Sequence, residues 1–392
     1  MRIGVPKESS PEERRVALVP AVLPSLKKAG LEIVVESGAG LAAGVTDEEY
    51  TNKGATIGSR DDVFAADVVA GVRLLGAAAE PLGDLQRIQS GKIWIGTCEP
   101  LAEPQPIEEA ASRGATVLSL ELMPRITRAQ SMDVLSSMAM LAGYKAVLLA
   151  ANTLPKMFPM MITAAGTVTP ARVFIIGAGV AGLQAISTAK RLGAVVEAYD
   201  VRPAVKEQVE SLGATFVEME LETEGAQDAG GYAREQGEEF LNKQRELMTR
   251  VIAGSDVVIT TAAVPGRKAP LLVTQAMVEG MPRGSVVVDL AAERGGNCEV
   301  TQPGETIDHQ GVTILGLVNL PSTLPRDASQ LIAKNIATFL LHLTEEGKIQ
   351  IDPEDEITRG TLVARDGEVV HSRVREALGL PPLEPTANEP SQ

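Results

Sequence analysis

The amino-acid sequence predicts an α/β fold with two parallel-sheet domains joined by long helices. Short Val/Ile-rich runs alternate with helix-length segments along nearly the whole chain, and that alternation makes crossover connections and hence parallel sheets. At 392 residues the chain has the length of two domains. A stretch rich in Met, Ala and Leu, with Pro155 and Pro159 behind it, separates one set of strand-like runs from the next.

Strands are expected at 2–5, 32–36, 56–57, 67–72, 92–95 and 116–120, with helices such as 21–29 and 107–113 between them. Those elements make one open sheet. Residues 127–152 read as a long connecting helix, which the two prolines interrupt. Beyond it, strands are expected at 172–176, 195–200, 215–218, 256–261, 285–290 and 312–317, a set that matches a parallel Rossmann sheet with crossover helices. Residues 327–343 are again helical. The remainder, 349–371, holds short strands and turns that could not fold alone, so the chain is expected to return to the first domain. Gly379-Leu380-Pro381-Pro382 opens a tail expected to be flexible. The domain map is a discontinuous N-terminal α/β domain (1–126 plus 344–378), a connecting helix (127–152), a Rossmann domain (153–326), a returning helix (327–343) and the tail (379–392). No internal repeat is visible.

Composition removes several classes of function. Hydrophobic residues at 44% and charged residues at 22% exclude collagen, coiled coil and wholesale disorder. A net charge of −15 repels a phosphate backbone, and one Trp, four Tyr and six Phe are too few for a base-stacking groove, so nucleic acid is not an expected partner. Cys98 and Cys298 lie far apart with no CxxC or Cys/His spacing, which indicates neither a disulfide framework nor a metal site. A reducing, cytosolic setting fits that pattern. Lys145, Lys156 and Arg172 break up the most hydrophobic region, and Met1-Arg2-Ile3-Gly4 leads straight into a strand rather than a signal peptide. No membrane-spanning segment is expected.

The strongest motif is Gly177-Ala178-Gly179-Val180-Ala181-Gly182, placed directly after the strand Val173-Phe174-Ile175-Ile176 and opening a helix. A lone GxGxxG is weak evidence, but this one has its strand, its helix and a downstream acid. Gly177 permits the tight turn, Gly179 lets the backbone approach a pyrophosphate, and Gly182 lets helix and strand pack closely. Asp200 ends the next strand, near the spacing at which a carboxylate bonds adenosine ribose hydroxyls, and it would repel a 2′-phosphate. NAD(H) is therefore preferred over NADP(H). Arg202, two residues on, could in principle neutralise a 2′-phosphate or could simply face solvent, and the acid holds the strand-end position. The long connection between Glu218 and Val251 carries Gly230-Gly231 as a hinge and Tyr232 as a flat face that could close on nucleotide; an acidic solvated loop is the other reading. Val180, Ala181, Val201, Arg202, Gly231, Gln244 and Ala263 complete the residues expected to touch the dinucleotide.

A substrate dehydrogenase moves a proton with the hydride and needs a positioned acid or base. His309, His342 and His371 all lie late in the chain, where solvated or structural roles are expected, and both cysteines read as buried filler. The polar cluster that stands out runs from Pro124 to Ser137. If a helix begins near Thr127, Gln130 and Asp133 share a face that Ser136 continues, with Arg125 approaching from the preceding loop. A fixed cation, an amide and an anion at the domain junction would suit holding a nicotinamide without exchanging protons. An N-capped connecting helix with an ordinary Arg/Asp pair is the alternative.

Gly4-Val5-Pro6-Lys7-Glu8, followed by Glu12-Glu13-Arg14-Arg15-Val16-Ala17, resembles the start shared by alanine dehydrogenases and the NAD(H)-binding component of proton-translocating nicotinamide nucleotide transhydrogenases, which form one superfamily. Three longer stretches resemble the transhydrogenase component: Glu121-Leu122-Met123-Pro124-Arg125 with Ala129-Gln130-Ser131-Met132-Asp133, Thr163-Ala164-Ala165-Gly166-Thr167-Val168, and Gly230-Gly231-Tyr232-Ala233 with Gly237-Glu238-Glu239-Phe240. By that resemblance Arg125, Gln130 and Asp133 match the Arg-Gln-Asp loop that positions the nicotinamide. Ser136 matches a nicotinamide-contacting serine, and Tyr232 matches the mobile-loop tyrosine. Arg73 and Thr97 fall near the places where alanine dehydrogenases carry a Lys and a His for substrate and proton transfer.

The resemblance implies an NAD(H)-binding subunit of a proton-translocating, Si/Re-specific NAD(P)+ transhydrogenase, with the cofactor cleft between the two domains and activity only with partner subunits. NADP(H) binding and the membrane-spanning helices would then reside on separate chains, with this chain pairing as a homodimer. It would lie in the cytoplasm, attached peripherally to the inner face of the cell membrane. The alternatives are an NAD-dependent alanine dehydrogenase-like enzyme and a non-catalytic NAD(H)-sensing subunit.

Overall fold

Every strand expected from the Val/Ile runs is present in the computed structural model of the chain, which describes residues 1–10, 12–78, 81–218, 238–263 and 266–383. The contacts divide the chain into two units, Met1–Met138 with Ser322–Gln392, and Ala139–Pro321. The first is discontinuous in sequence, because the chain leaves it, builds the second and comes back.

The first unit opens with β1 (Arg2–Val5), β2 (Glu32–Glu36), β3 (Thr56–Gly58), β4 (Val68–Arg73), β5 (Ile93–Thr97) and β6 (Thr116–Ser119). All of these pair in parallel, in the order β6-β5-β4-β1-β2-β3. Their side chains alternate between two cores: Ile3, Val5, Val35, Val68, Ala70, Val72 and Ile95 face one, whereas Val34, Val69, Trp94 and Val117 face the other. A parallel sheet covered on both faces requires that pattern, and it explains why the strands read as continuous apolar runs.

The second unit adds a hairpin of β7 (Met161–Thr163) and β8 (Gly166–Val168), then β9 (Arg172–Ile176), β10 (Val195–Tyr199), β11 (Thr215–Phe216), β12 (Val257–Thr260), β13 (Val286–Asp289), β14 (Thr306–His309) and β15 (Val312–Gly316). Its sheet order is β11-β10-β9-β12-β13-β15-β14, with β14 antiparallel to β15 and the rest parallel. The strand β14 was not expected from the sequence: Glu305-Thr306-Ile307-Asp308-His309 is polar, as an exposed edge strand is, and carries almost no apolar signal. Returning to the first unit, the chain forms β16 (Thr344–Glu345) and β17 (Lys348–Ile349), then β18 (Leu362–Arg365) and β19 (Glu368–Val369). β18 joins the free edge of β6 in antiparallel sense. The helix Pro325–Leu343 packs Ile332, Ile336, Phe339 and Leu340 into the first unit's core.

Two helical expectations need correction. The long helix at 127–152 is not continuous. Thr127–Met132 is a 3₁₀ helix, Asp133 is extended with ψ 94°, and an α-helix follows at Val134–Thr153. Asp133 breaks the run because its carboxylate accepts from Ser136 N at 2.9 Å and from Ser136 Oγ at 2.5 Å, the local bonding that makes Asp a helix start rather than a helix interior. The most hydrophobic region is less broken up than expected, since Val134–Thr153 has 20 residues and a mean hydropathy of 1.6 and is, by length and composition alone, long and apolar enough to cross a membrane. In this fold Ala146, Val147 and Ala150 on that helix are fully buried in the second unit's core.

Candidate functional site

In the second unit the glycine-rich turn sits where the strand order reverses, between β9 and β12. The backbone of Gly177 has φ +98°, and a Cβ there would lie 2.5 Å from Thr261 Oγ1. At Gly182 a Cβ would come within 1.8 Å of the Gly177 carbonyl oxygen, so helix and strand meet at a distance only glycine allows. A Cβ on Gly179, by contrast, would meet nothing within 4 Å. That open backbone is what a pyrophosphate needs. The helix Val180–Arg191 starts at Gly179 without a side-chain cap, leaving its first N–H groups for an anion. Val180 is exposed, and Ala181 lies against Gly143 on the long helix, where a Cβ would stand 2.1 Å from the Ala181 carbonyl oxygen.

Asp200 follows β10 and is held firmly. Its Oδ2 accepts from Ala178 N at 2.7 Å, which ties it to the glycine turn itself. Arg202 donates to Asp200 from its backbone N, Nε and Nη2, each at 2.9 Å. Of the two roles open to Arg202 from the sequence, neutralising a 2′-phosphate or simply facing solvent, the structure shows neither as it stands, because the guanidinium is held on Asp200. The reason is local: a guanidinium two residues from a largely buried carboxylate closes a bidentate pair, with side-chain exposures of 18% and 7%. Hydrogen bonding to Asp200 holds the Arg202 guanidinium above its usual value. Val201 is partly buried against the apolar cluster that holds Phe174, Ile176, Tyr199 and Met248. Gln244 is buried and donates through Nε2 to Tyr199 Oη at 3.1 Å, and burial pushes the Tyr199 hydroxyl up to about 12. Ala263 is exposed, just past β12. Gly231 and Tyr232 lie outside the described residues.

Sequence reasoning missed the group that fixes the loop after β12. Thr261 donates through Oγ1 to the Gly177 carbonyl oxygen at 3.0 Å, clamping the turn. Asp289, fully buried at the end of β13, accepts from Thr260 Oγ1, Thr301 Oγ1 and the backbone N of Ala291, Asn297 and Cys298, all within 2.8–3.0 Å. Asn297 then bonds Ala262 N and O and the Pro270 carbonyl. The available signal was Asp289 itself, a carboxylate closing an otherwise apolar strand, which demands partners when buried.

In the first unit Arg125 and Gln130 are exposed, whereas Asp133 and Ser136 are half-buried. The structure brings Asp133 and Ser136 together through the helix-start bonds. It does not place Gln130, Asp133 and Ser136 along one α-helical face, because the chain changes direction at Asp133. His309 pairs with Glu279 at 3.1 Å and His342 with Asp355 at 2.9 Å. His371 precedes the helix Ser372–Ala377, and burial pushes its imidazole down to about 4. Both cysteines are free and buried, and burial raises both thiols, Cys298 to about 11. Arg73 and Thr97 stand opposite each other on β4 and β5, each donating to a backbone carbonyl, Arg73 Nε to Ala77 at 2.6 Å and Thr97 Oγ1 to Val72. Among the described residues no cluster of three or more His, Cys, Asp or Glu could hold a metal ion.

The residues present fit a dinucleotide: an open glycine backbone, an uncapped helix start and a carboxylate at the neighbouring strand end. Two family models match the chain, "Alanine dehydrogenase/PNT, N-terminal domain" over residues 4–142 and "Alanine dehydrogenase/PNT, C-terminal domain" over residues 146–372. A Rhodospirillum rubrum protein, named as the first part of an NAD(P) transhydrogenase subunit alpha, is 48% identical over 376 residues, covering 95% of this chain and 98% of its own length. The crystal structure of a transhydrogenase from Sinorhizobium meliloti superposes with a TM-score of 0.85 at 46% identity, over 94% of this chain and all of that one. An L-alanine dehydrogenase structure superposes nearly as well, with a TM-score of 0.81 over 97% of this chain and 99% of that one, but at 26% identity.

Proposed function

Because this chain belongs to the alanine dehydrogenase/PNT family, we propose that it is the NAD(H)-binding subunit of a proton-translocating transhydrogenase, exchanging hydride with NADP(H) held by a partner. The observation that carries the reading is the glycine cradle at the second unit's strand-order reversal, with Asp200 bonded to its second residue. Identity to the transhydrogenase relatives, well above that to the alanine dehydrogenase of equal coverage, supports this branch of the family over the amino-acid enzyme. Arg73 and Thr97, each donating to a backbone carbonyl, are not the Lys and His that alanine dehydrogenases carry for substrate and proton transfer, which supports the same choice.

Bound NADH supplies the hydride, and nicotinamide-to-nicotinamide transfer needs no protein acid or base. The protein's work is placement. The N–H groups at Gly179–Gly182 hold the pyrophosphate, and Asp200 takes the adenosine ribose hydroxyls, with Arg202 swinging aside or sharing the carboxylate. Val201, Gln244 and Ala263 line the nucleotide, and the resemblance to the transhydrogenase component assigns Gly231 and Tyr232, outside the described residues, to nucleotide binding as well. Arg125, Gln130, Asp133 and Ser136 orient the nicotinamide, contributing alignment rather than proton transfer.

A relative named as only the first portion of subunit alpha implies further portions, and the proposal assigns NADP(H) binding and the membrane-spanning helices to them, with this chain attached peripherally at the inner face of the cell membrane. Pairing with a second copy is supported by the β7–β8 hairpin. Met160, Met161, Ile162 and Val168 are exposed on it, and the segment from Met160 to Pro170 carries no charge in a chain of net charge −15.

The test is hydride exchange between NADPH and an oxidised NAD+ analogue, with the purified chain alone and then with a candidate NADP(H)-binding partner. Transfer is expected only on mixing. No transfer with both proteins folded and nucleotide-loaded would point to a sensor, and turnover of alanine with NAD+ would point to the amino-acid enzyme. In the active mixture Gln130→Asn is expected to slow transfer by about tenfold or more while NADH binding stays nearly constant.

A further inference from the structure

The 3₁₀ helix Thr127–Met132 carries Gln130 and leads into Asp133, so its position decides where those side chains stand. It is anchored by Ala129 and Met132, both buried, and by a partly buried polar bond from the helix Pro325–Leu343. Asn335, on the helix Pro325–Leu343 and only 6% exposed, donates through Nδ2 to the Ser131 carbonyl oxygen at 2.8 Å. The carbonyls at a helix end have no partner inside the helix, and this amide supplies one at Ser131, directly after Gln130 and two residues before Asp133. The Oδ1 of the same amide is buried with no partner among the described residues. A buried amide with half its bonding capacity unused is unfavourable, and Leu would fill similar space without that penalty. What the site gains from Asn335 is the bond to Ser131. A second polar tie to this segment, Arg128 Nη2 to Asp355 Oδ1 at 3.5 Å, is long and exposed and adds little.

We propose that Asn335 is a positioning residue for the proposed hydride transfer, fixing the Gln130–Asp133 segment through the Ser131 carbonyl. The inference rests on the transhydrogenase reading for its kinetic consequence but not for its structural one, and the two are read separately. A matched control lies on the same helix: Ser329, fully buried, accepts from Val16 N at 3.0 Å and supports a different segment.

With the full chain, Asn335→Leu is expected to raise amide hydrogen exchange in the peptide 127–136 by about tenfold or more, whereas Ser329→Ala leaves that peptide unchanged. With the NADP(H)-binding partner present, Asn335→Leu should slow single-turnover hydride transfer by about tenfold with an unchanged dissociation constant for NADH. Asn335→Asp should show the same defect at high pH and recover as the pH is lowered, because only the protonated carboxyl can donate to Ser131. Unchanged exchange in 127–136, or an equal slowing by Ser329→Ala, overturns the proposal. If the unmodified chain transfers no hydride, the function reading fails while the exchange comparison still decides the role of Asn335. Should Asn335→Leu not fold, Asn335→Asp carries the same comparison across pH.

Discussion

The six parallel strands of each unit's sheet follow the same order, and the two units fill the same place in it in opposite ways. In the first unit β1 lies between β2 and β4, and in the second β9 lies between β10 and β12, so both sheets reverse direction beside their first strand. After β9 comes a glycine turn whose backbone stands open at Gly179. After β1 come Pro6, Lys7 and Glu8, and the Glu8 carboxylate accepts from Val72 N at 2.7 Å and Arg73 N at 3.0 Å, at the end of β4. One reversal point presents N–H groups outward, and the other spends them on the chain's own carboxylate. A shared topology therefore does not make a shared site; the residues just after the first strand decide it.

The comparison breaks most visibly at Gly182. Replacing it with Val sets a side chain against the Gly177 carbonyl, which is backbone and cannot yield without moving the turn. NADH affinity should fall by about 100-fold or more, roughly 2.7 kcal/mol. Thermal unfolding of the first unit should be unaltered, and a variant that keeps NADH affinity by titration would show that the turn is not the binding element.

A smaller effect sharpens the role of the Asp200–Arg202 pair. With Asp200 bonded to Arg202 through both oxygens, the guanidinium is neutralised and poorly able to receive a 2′-phosphate. Asp200→Asn should weaken NADH by about tenfold, the scale of a charged hydrogen bond, and should shift relative affinity toward NADPH by freeing Arg202. Isothermal titration with both nucleotides checks this. An unchanged NADH/NADPH ratio would mean that Asp200 serves only to hold Ala178 and Arg202.

Most of this was legible in the sequence where side-chain chemistry and chain direction agree. The core strands of both sheets were readable because a parallel sheet buried on both faces leaves uninterrupted Val/Ile runs, and the glycine turn because its three glycines come with a strand before them and an acid after. The connecting helix misread at Asp133 shows the limit. Apolar periodicity runs through that residue, but its short carboxylate bonds Ser136 and restarts the helix, and pattern alone does not tell a capping Asp from a surface one. The strand β14 and the exposed hairpin β7–β8 were invisible for a related reason, since edge and protruding strands lack the one-sided burial that writes a pattern. The bond from Asn335 to Ser131, across 204 positions of sequence, could be found only in three dimensions.

The smallest predicted effect separates the two reversal points by pH. Burial pushes the Glu8 carboxyl up to about 8, with Glu13 adding to the rise and the two backbone N–H groups and Arg15 opposing it. Burial likewise raises Glu121 to about 7, although Cys98 N and Glu99 N donate to it. In the unfolded chain such carboxyls release their protons near pH 4.5. Between that value and about 8 the folded protein holds a proton that the unfolded chain has lost, so the contribution of Glu8 to stability is full below the unfolded value and disappears as the pH rises through the folded one. The first unit should accordingly melt a few degrees lower at pH 8 than at pH 5. Glu8→Gln, which stays neutral throughout, should flatten that slope while lowering the midpoint at pH 5, since an amide can accept only through one of its two terminal atoms. An equally steep slope in Glu8→Gln would assign the dependence to Glu121 and leave the first unit's reversal point held by geometry alone.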